Sequence, residues 1–457
     1  MATLDTSIVN ISLPTLVTYF HTDFATIQWV VLAYSLVITS LMLSVARLGD
    51  MLPKKRIYQT GLVLFILSSC LCGLAPSVGW LIAFRALQGL GGTMMQALGM
   101  AMVTEIFPAS ERGRALGTMG AVVSVGIAVG PPLGGLLIGL VGWQSVFWVN
   151  LPVGLITAFF VWRFVPDLRS ARPGQRFDVA GAAILMAVLI TYASGMTRGQ
   201  SIGFSSPWVL ALLIAAGLGL LVFLAVERKA AQPMVDLKLF ANPLFSINLL
   251  MGFLVFLVLA GGFILPFLLQ NVLGYSTQVV GLLMMSNPIA MGLVAPIAGT
   301  LSDRYGSRVI SLIGLLLLAV GCLVMSTLHT GVTPLGIVVR LIPFGIGFGL
   351  FQSPNNSSIM GSAPRERLGV ASGLIGLSRT LGNSSGLPLM GSIYGAFVLA
   401  AGKLPAGTDV NTAPAQAVVS GIQGTYIIAA AGIFITTLLA VLALWVDTRR
   451  KARQTSR

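Results

Sequence analysis

Four charged side chains lie within apolar segments that are long enough to span a membrane. They are Asp5, Arg85, Arg340 and Arg379. An ionisable residue inside a span costs at least about 2.5 kcal/mol on insertion scales, so each of the four is a functional candidate. Asp5 is the only acid that the predicted spans bury in the membrane interior. The sequence therefore predicts that Asp5 exchanges protons.

A carboxyl group and an arginine can act together as a proton switch. Burial favours the neutral carboxyl group, whereas a nearby arginine favours the carboxylate. We predict that Asp5 binds a proton when Arg85 is distant and releases it when Arg85 approaches. A static ion pair that only holds helices together is the alternative. For Arg340 and Arg379, packing or hydrogen bonding to backbone carbonyls is an equally open interpretation.

Glu105 and a group of amide and thioether side chains complete the candidates. Glu105 ends the fourth predicted span, where it is either a hydrated helix-end charge or a second proton carrier. Methionine and glutamine side chains adapt to varied apolar ligands, which favours a substrate cavity. The candidate cavity residues, each of which could instead serve helix packing, are Asn10, Gln88, Met94, Met95, Asn248, Gln270, Gln352 and Asn355.

Composition identifies the medium that surrounds these residues. Hydrophobic residues make up 56% of the chain and charged residues 9%, and the mean hydropathy is +0.93. A water-exposed surface could not tolerate this composition, so the solvent is lipid. Each span must satisfy its own backbone hydrogen bonds. The predicted fold class is therefore an all-α polytopic membrane protein with about fourteen transmembrane helices.

An internal repeat divides the predicted spans. The run RLGDMLPKKR from Arg47 aligns with TLSDRYGSR from Thr300, and the segment after Arg85 aligns with that after Arg340. Matching elements lie eight helices apart, which predicts two six-helix bundles plus two additional spans. The predicted domains are residues 1–166, the additional spans and loops in 167–241, the second six-helix half in 242–447, and a basic tail in 448–457.

Basic residues indicate orientation and exclude other classes of function. The net charge is +14, but the basic residues form short clusters in loops on one predicted side. This is the positive-inside pattern, which predicts that both termini are cytoplasmic and that nucleic acid is not a partner.

His21 and His329 are too separate for a metal site, and no phosphate-binding or nucleophile motif occurs. We expect no enzyme activity and no cofactor. We also expect that a segment preceding Met1 is missing.

Two loop motifs resemble a conserved loop of the major facilitator superfamily. The first contains Asp50 and Arg56, although Ala46 and Pro53 replace the usual glycines; the second contains Asp303, Arg304 and Arg308. The resemblance implies a conformational latch in which each acid pairs with basic groups and helix ends. A solvated loop is the alternative, but it does not explain an acid at matching positions twice.

The fifth span contains a stripe of small residues. The run GIAVGPPLGG places Gly126, Gly130 and Gly134 on one helical face, where two backbones can approach closely. Pro131 and Pro132 are expected to bend the helix, and Gly135 completes a double glycine. The run resembles the antiporter motif of drug–proton exchangers in the superfamily.

Three further runs resemble the fourteen-span drug:proton antiporter branch. They begin at Leu4 (LDTSIVNISLP), Arg85 (RALQGLGG) and Trp143 (WQSVFWVNLPVG), the last with Gln144 where the branch usually has arginine. The resemblance implies proton-coupled export of amphipathic small molecules by alternating access, powered by the proton gradient. The alternatives are a solute or metabolite importer or exporter with one dedicated substrate, and a non-transporting receptor or scaffold.

The number of deep acids sets an expectation about substrates, and the resemblance sets expectations about partners. With Asp5 as the only deep acid, neutral, monocationic or weakly anionic substrates are expected. The bilayer, the substrate and protons are the expected partners of a monomer in the cell membrane. A periplasmic adaptor is a further expected partner if the cell has two membranes.

Overall fold

The computed structural model describes residues 1–457 except residues 23, 109, 167–177, 231–232, 234, 236, 406–412 and 456–457. The described residues form helices joined by short loops. Part of the predicted linker region, including the boundary after residue 166, lies outside them. The domain boundaries therefore remain predictions.

The described residues of the N-terminal half form seven helices. They are α1 (Ala2–Phe20), α2 (Phe24–Met51), α3 (Lys54–Gly73), α4 (Val78–Ile106), α5 (Arg112–Val141), α6 (Ser145–Trp148) and α7 (Asn150–Phe164). Two additional helices follow, α8 (Val179–Ile202) and α9 (Pro207–Lys229), which pack against each other as a hairpin.

The C-terminal half contains the remaining α-helices. They are α10 (Pro243–Leu259), α11 (Leu265–Phe267), α12 (Thr277–Met284), α13 (Ser286–Tyr305), α14 (Ser307–Met325), α15 (Pro334–Ser362), α16 (Leu368–Gly402) and α17 (Ala415–Thr455). Short helical turns at Ala260–Ile264 and Leu268–Val272 continue α10 and α11, so that residues 243–272 form one helical run. Two more short turns lie at Leu237–Ala241 and Arg365–Arg367.

Twelve helices among the described residues are long and apolar enough to cross a membrane. The predicted count of fourteen is therefore not supported by length and composition. The two long helices outside the twelve are α1 and α4. In α4 the polar side chains of Arg85, Gln88, Gln96 and Glu105 lower the hydropathy, whereas several side chains of α1 lie outside the described part of the chain.

Buried apolar side chains form a core within each half and also pack between the two halves. One cluster lies within the C-terminal half and includes Leu315 and Ile433, and another lies within the N-terminal half and includes Ile8. A third cluster combines Met42 of α2 with Ile375 of α16. Because this third cluster draws on both halves, burial of apolar surface stabilises the contact between them.

Two helix pairs form the main contacts between the halves. Helix α2 packs against α16, and α5 packs against α13. Helix α8 packs against both α2 and α16, and the Tyr192 hydroxyl of α8 shares a hydrogen bond with the Ser385 hydroxyl of α16. The additional hairpin therefore lies along one of the two contacts, at α2 and α16.

Candidate functional site

Helices α1 and α4 bring Asp5 and Arg85 into direct contact. Arg85 Nη1 lies 2.6 Å from Asp5 Oδ2, and both side chains have 0% exposure. Arg85 Nε also donates a hydrogen bond to the Val30 carbonyl at 3.0 Å. The guanidinium carbon lies 4.2 Å from the centre of the Tyr34 ring. The pair that the sequence singled out is thus a buried ion pair in this structure.

Three amide and hydroxyl side chains complete the surroundings of the carboxylate. Gln88 Nε2 donates to Asp5 Oδ1 at 3.1 Å, and Asn150 Nδ2 of α7 donates to the same oxygen at 2.7 Å. The Ser69 hydroxyl oxygen of α3 accepts from both amides, at 2.9 Å and 3.0 Å. Both carboxylate oxygens of Asp5 therefore accept hydrogen bonds, Oδ2 from Arg85 and Oδ1 from Gln88 and Asn150.

Sequence reasoning did not select Asn150 or Ser69. Uncharged amides and hydroxyls are common in packed membrane helices, so neither residue carries the insertion cost that identifies Asp5 and Arg85. One signal was present for Asn150, because it lies in the run that begins at Trp143.

A cavity of about 210 Å³ lies between the halves, close to the ion pair. Thr3 lines it, and Asp5 follows two residues later on α1. Helices α4 and α5 contribute Met95, Gln96 and Met119, and the C-terminal half contributes Ala295, Gln352, Asn356 and Arg379. A neighbouring cavity of about 10 Å³ is lined by Gln352, Asn355, Asn356 and Arg379, among others. These mixed thioether, amide and hydroxyl walls suit an amphipathic molecule.

The structure places the predicted cavity residues in different surroundings. Met95 and Gln352 line the larger cavity, and Gln352 and Asn355 line the smaller one. The side chains of Asn10 and Gln270 lie outside the part of the chain that the structure describes.

Three predicted cavity residues line neither of these two cavities. Gln88 turns towards Asp5, and Met94 packs close to Gly61 of α3. Asn248 donates a hydrogen bond to the Leu244 carbonyl on its own helix at 2.6 Å. In this conformation the three side chains contact neighbouring residues, and their role in a substrate cavity remains a prediction.

The three secondary charge candidates have three distinct environments. Arg340 bonds locally, with Nη1 donating to the Gly336 carbonyl at 3.0 Å and Nε to the Thr327 hydroxyl at 3.1 Å. Glu105 Oε2 lies 3.1 Å from Nζ of the buried Lys54. Arg379 lines both cavities.

The two predicted latch acids each cap a helix of the opposite half. Asp50 accepts hydrogen bonds from the backbone N–H groups of Gly369 at 2.7 Å and Val370 at 2.9 Å, at the start of α16. Asp303 accepts from the N–H groups of Gly113 and Arg114 at 3.0 Å, at the start of α5. Helix N-termini carry partial positive charge, which these carboxylates complement. We call this end of the bundle, where Asp50 and Asp303 lie, the latch end.

The predicted basic members of the latch have separate positions. Arg56 and Arg304 are exposed, and Arg304 lies over the Tyr305 ring. Arg308 pairs with Asp447 of α17. Lys54 Nζ lies 3.9 Å from Asp50 Oδ1. In the described structure, backbone N–H groups therefore hold Asp50 and Asp303 more closely than the predicted arginines do.

The glycine stripe of α5 packs against the turn of α1 that contains Asp5. A Cβ atom added at Gly130 would overlap the Ser7 hydroxyl, and one at Gly134 would lie 3.2 Å from the Ile8 side chain. At Gly126 the nearest atom is Leu4 N at 3.6 Å. Pro132 lies inside the continuous helix α5, next to Pro131, whose side chain is outside the described part. Gly135 has nothing within 4 Å, so the stripe ends before it.

A helical membrane bundle with a buried ion pair beside a cavity between its two halves has the architecture of a transporter. The sequence profile of the Major Facilitator Superfamily matches residues 1–387. The chain belongs to this superfamily and is a multi-pass membrane transporter, not an enzyme.

Individual relatives agree with this membership. The riboflavin transporter RibZ of Clostridioides difficile is 34% identical over 86% of this chain and 85% of its own length. The multidrug resistance protein Stp of Mycobacterium tuberculosis is 35% identical over 88% of this chain and 74% of its own length. The crystal structure of the human organic anion transporter MFSD10 (TETRAN) has the same fold, with a TM-score of 0.68, 15% identity and 96% coverage of both chains.

Proposed function

We propose that this transporter is a proton-coupled antiporter that exports amphipathic small molecules by alternating access. The buried pair of Asp5 and Arg85 beside the cavity is the observation that carries the proposal. A carboxyl group that changes protonation as an arginine approaches or withdraws can couple proton entry to substrate exit. Arginine remains charged throughout, so Asp5 is the member of the pair that carries the proton.

The glycine stripe supports coupling between helix movement and the proton site. Helix α5 contacts both α13 of the C-terminal half and the Asp5 turn of α1. A displacement of α5 relative to α13 therefore acts on α1 directly, because close-packed backbones transmit displacement. This contact offers a physical route from movement of the halves to the distance between Asp5 and Arg85.

The transporter could export a broad range of substrates or one dedicated substrate, and these are the two versions of the proposal. The relative named as a multidrug resistance protein favours a broad range of amphipathic substrates. The relative named as a riboflavin transporter favours the second candidate, a transporter with one dedicated substrate. The methionines and amides of the larger cavity support the broad version, since such side chains repack around different ligands.

Transport by everted membrane vesicles tests the proposal. Vesicles with an acidic interior should accumulate a substrate from a panel of amphipathic compounds, and substrate entry should coincide with proton exit. A protonophore should abolish the accumulation, because it removes the gradient without touching the protein. Vesicles without the protein give the background. Accumulation that persists after the protonophore would refute proton coupling.

We also propose that α1 and α4 cross the membrane, which gives the fourteen-span branch, with both termini cytoplasmic in the cell membrane. Both helices pack within the bundle, and Asp5, Arg85 and Gln88 are buried there, away from lipid. Reporters fused after Ser77 and Lys403 should be external, and reporters after Glu111 and Arg450 cytoplasmic. If the Ser77 and Glu111 fusions report the same side, α4 does not cross.

A further inference from the structure

Arg379 is a cation that faces the space where a substrate would bind. It lies on α16 and lines both cavities. Its Nη2 atom donates a hydrogen bond to Gln96 Oε1 on α4 at 3.0 Å. Gln96 lines the larger cavity too. The guanidinium group is therefore held at the contact between the halves by a neutral amide oxygen.

The cavity walls do not neutralise this charge. Among the described residues that line the two cavities, Arg379 is the one charged side chain. No described carboxylate forms an ion pair with Arg379. By contrast, Arg85 pairs with Asp5. Arg340 donates hydrogen bonds to the nearby Gly336 carbonyl and Thr327 hydroxyl. Arg379 is partly buried, and removing a cation from bulk water without a counterion is unfavourable. An anion in the cavity would supply the missing charge.

We propose that Arg379 binds the anionic group, such as a carboxylate or sulfonate, of an amphipathic substrate. The anion takes the place of Gln96 Oε1 at the guanidinium group, since a charged acceptor bonds more strongly than an amide oxygen. The amides of Gln352 and Asn356 provide further donors, while Met95 and Met119 face the apolar body. This inference rests on the proposed function only where it treats the bound anion as the transported molecule.

A matched pair of fluorescent probes tests the proposal by equilibrium binding. The probes are 7-methoxycoumarin-4-acetate and its methyl ester, which share one apolar body and differ in charge. With the purified full chain in lipid nanodiscs, we expect the acid to bind at least about tenfold more tightly than the ester. Arg379→Gln should reduce this ratio to about one by weakening the acid alone, and Arg379→Lys should retain part of the preference.

Two controls separate charge recognition from structural damage. Unchanged ester binding by Arg379→Gln shows that the cavity is intact. Arg340 is another arginine in a predicted span, and its side chain lines neither cavity. Arg340→Gln should therefore leave the ratio of acid to ester affinity unchanged. Equal binding of the two probes to the unmodified protein would overturn the proposal. Acid preference that survives Arg379→Gln, or no acid binding up to about 1 mM, would overturn it as well.

The binding experiment is independent of proton coupling because it uses no gradient. If vesicle transport proves independent of protons, Arg379 still binds the acid. If the preference for the acid is absent, proton-driven export of uncharged molecules still stands.

Discussion

Asp5→Asn is expected to abolish accumulation of substrate against its gradient while movement down the gradient continues. Asparagine has the shape of the protonated acid but does not titrate, so it cannot exchange a proton during the cycle. One pH unit corresponds to about 1.4 kcal/mol, which sustains about a tenfold gradient of a neutral substrate for each proton exchanged. In proteoliposomes with a pH difference of about one unit, the ratio of internal to external substrate concentration should therefore be about tenfold for the unmodified protein and about one for Asp5→Asn.

The control for this substitution must address the charge that remains. Removing one partner of a buried ion pair costs about 3–5 kcal/mol, because the other charge is left without compensation. In Asp5→Asn, Arg85 would be that charge. The double variant Asp5→Asn with Arg85→Gln contains neither charge, and it should insert normally yet remain uncoupled. Uphill transport by either variant would show that another group carries the proton, and Glu105 would be tested next.

Gly130→Leu is expected to abolish transport in a protein that still inserts into the membrane. A Cβ atom at this position would overlap the Ser7 hydroxyl, lie 2.5 Å from Ser7 Cβ and lie 3.3 Å from the backbone nitrogen of Ile8. Overpacking of this kind costs about 1–3 kcal/mol and moves the backbone. The displaced turn of α1 is the turn that holds Asp5 against Arg85. Transport in reconstituted vesicles, alongside the amount of inserted protein, measures the effect.

Gly135→Leu is the matched control on the same helix. Gly135 is exposed, and nothing lies within 4 Å of a Cβ atom added there. The same leucine would extend from the bundle surface without contacting α1, so transport should be retained. Normal flux from Gly130→Leu would show that contact between the stripe and α1 has no part in transport. Equal loss of flux in both variants would point to a general effect on the helix.

Apolar run length and charge placement in the sequence predicted the helical fold and drew attention to Asp5 and Arg85. Charges inside spans are rare because they are costly, so these two residues could be recognised without coordinates. The resemblance of the two loops to the superfamily motif implied that their acids contact helix ends. The structure supplies the particular ends, which are those of α16 and α5.

The residues that sequence reasoning could not assign depend on helix rotation. Arg340 and Arg379 are the same residue type in comparable apolar runs, yet one bonds to its own helix and the other lines the cavities. Asn150 and Gln96 are uncharged amides, and no insertion cost distinguishes them from packing residues. The difference lies in which neighbouring helix each side chain meets, which is a property of tertiary packing.

The two helix caps at the latch end are reciprocal, since each half provides one carboxylate and one helix N-terminus. Four N–H groups of α5 and α16 bond to Asp50 and Asp303. If the halves separate as rigid bodies, all four bonds break in the same step, because neither carboxylate can follow its partner helix. Opening of this end is then cooperative. The free energy required to open this end therefore includes the hydrogen bonds of both helix caps. Loss of either acid removes one cap and shifts the population towards the open arrangement.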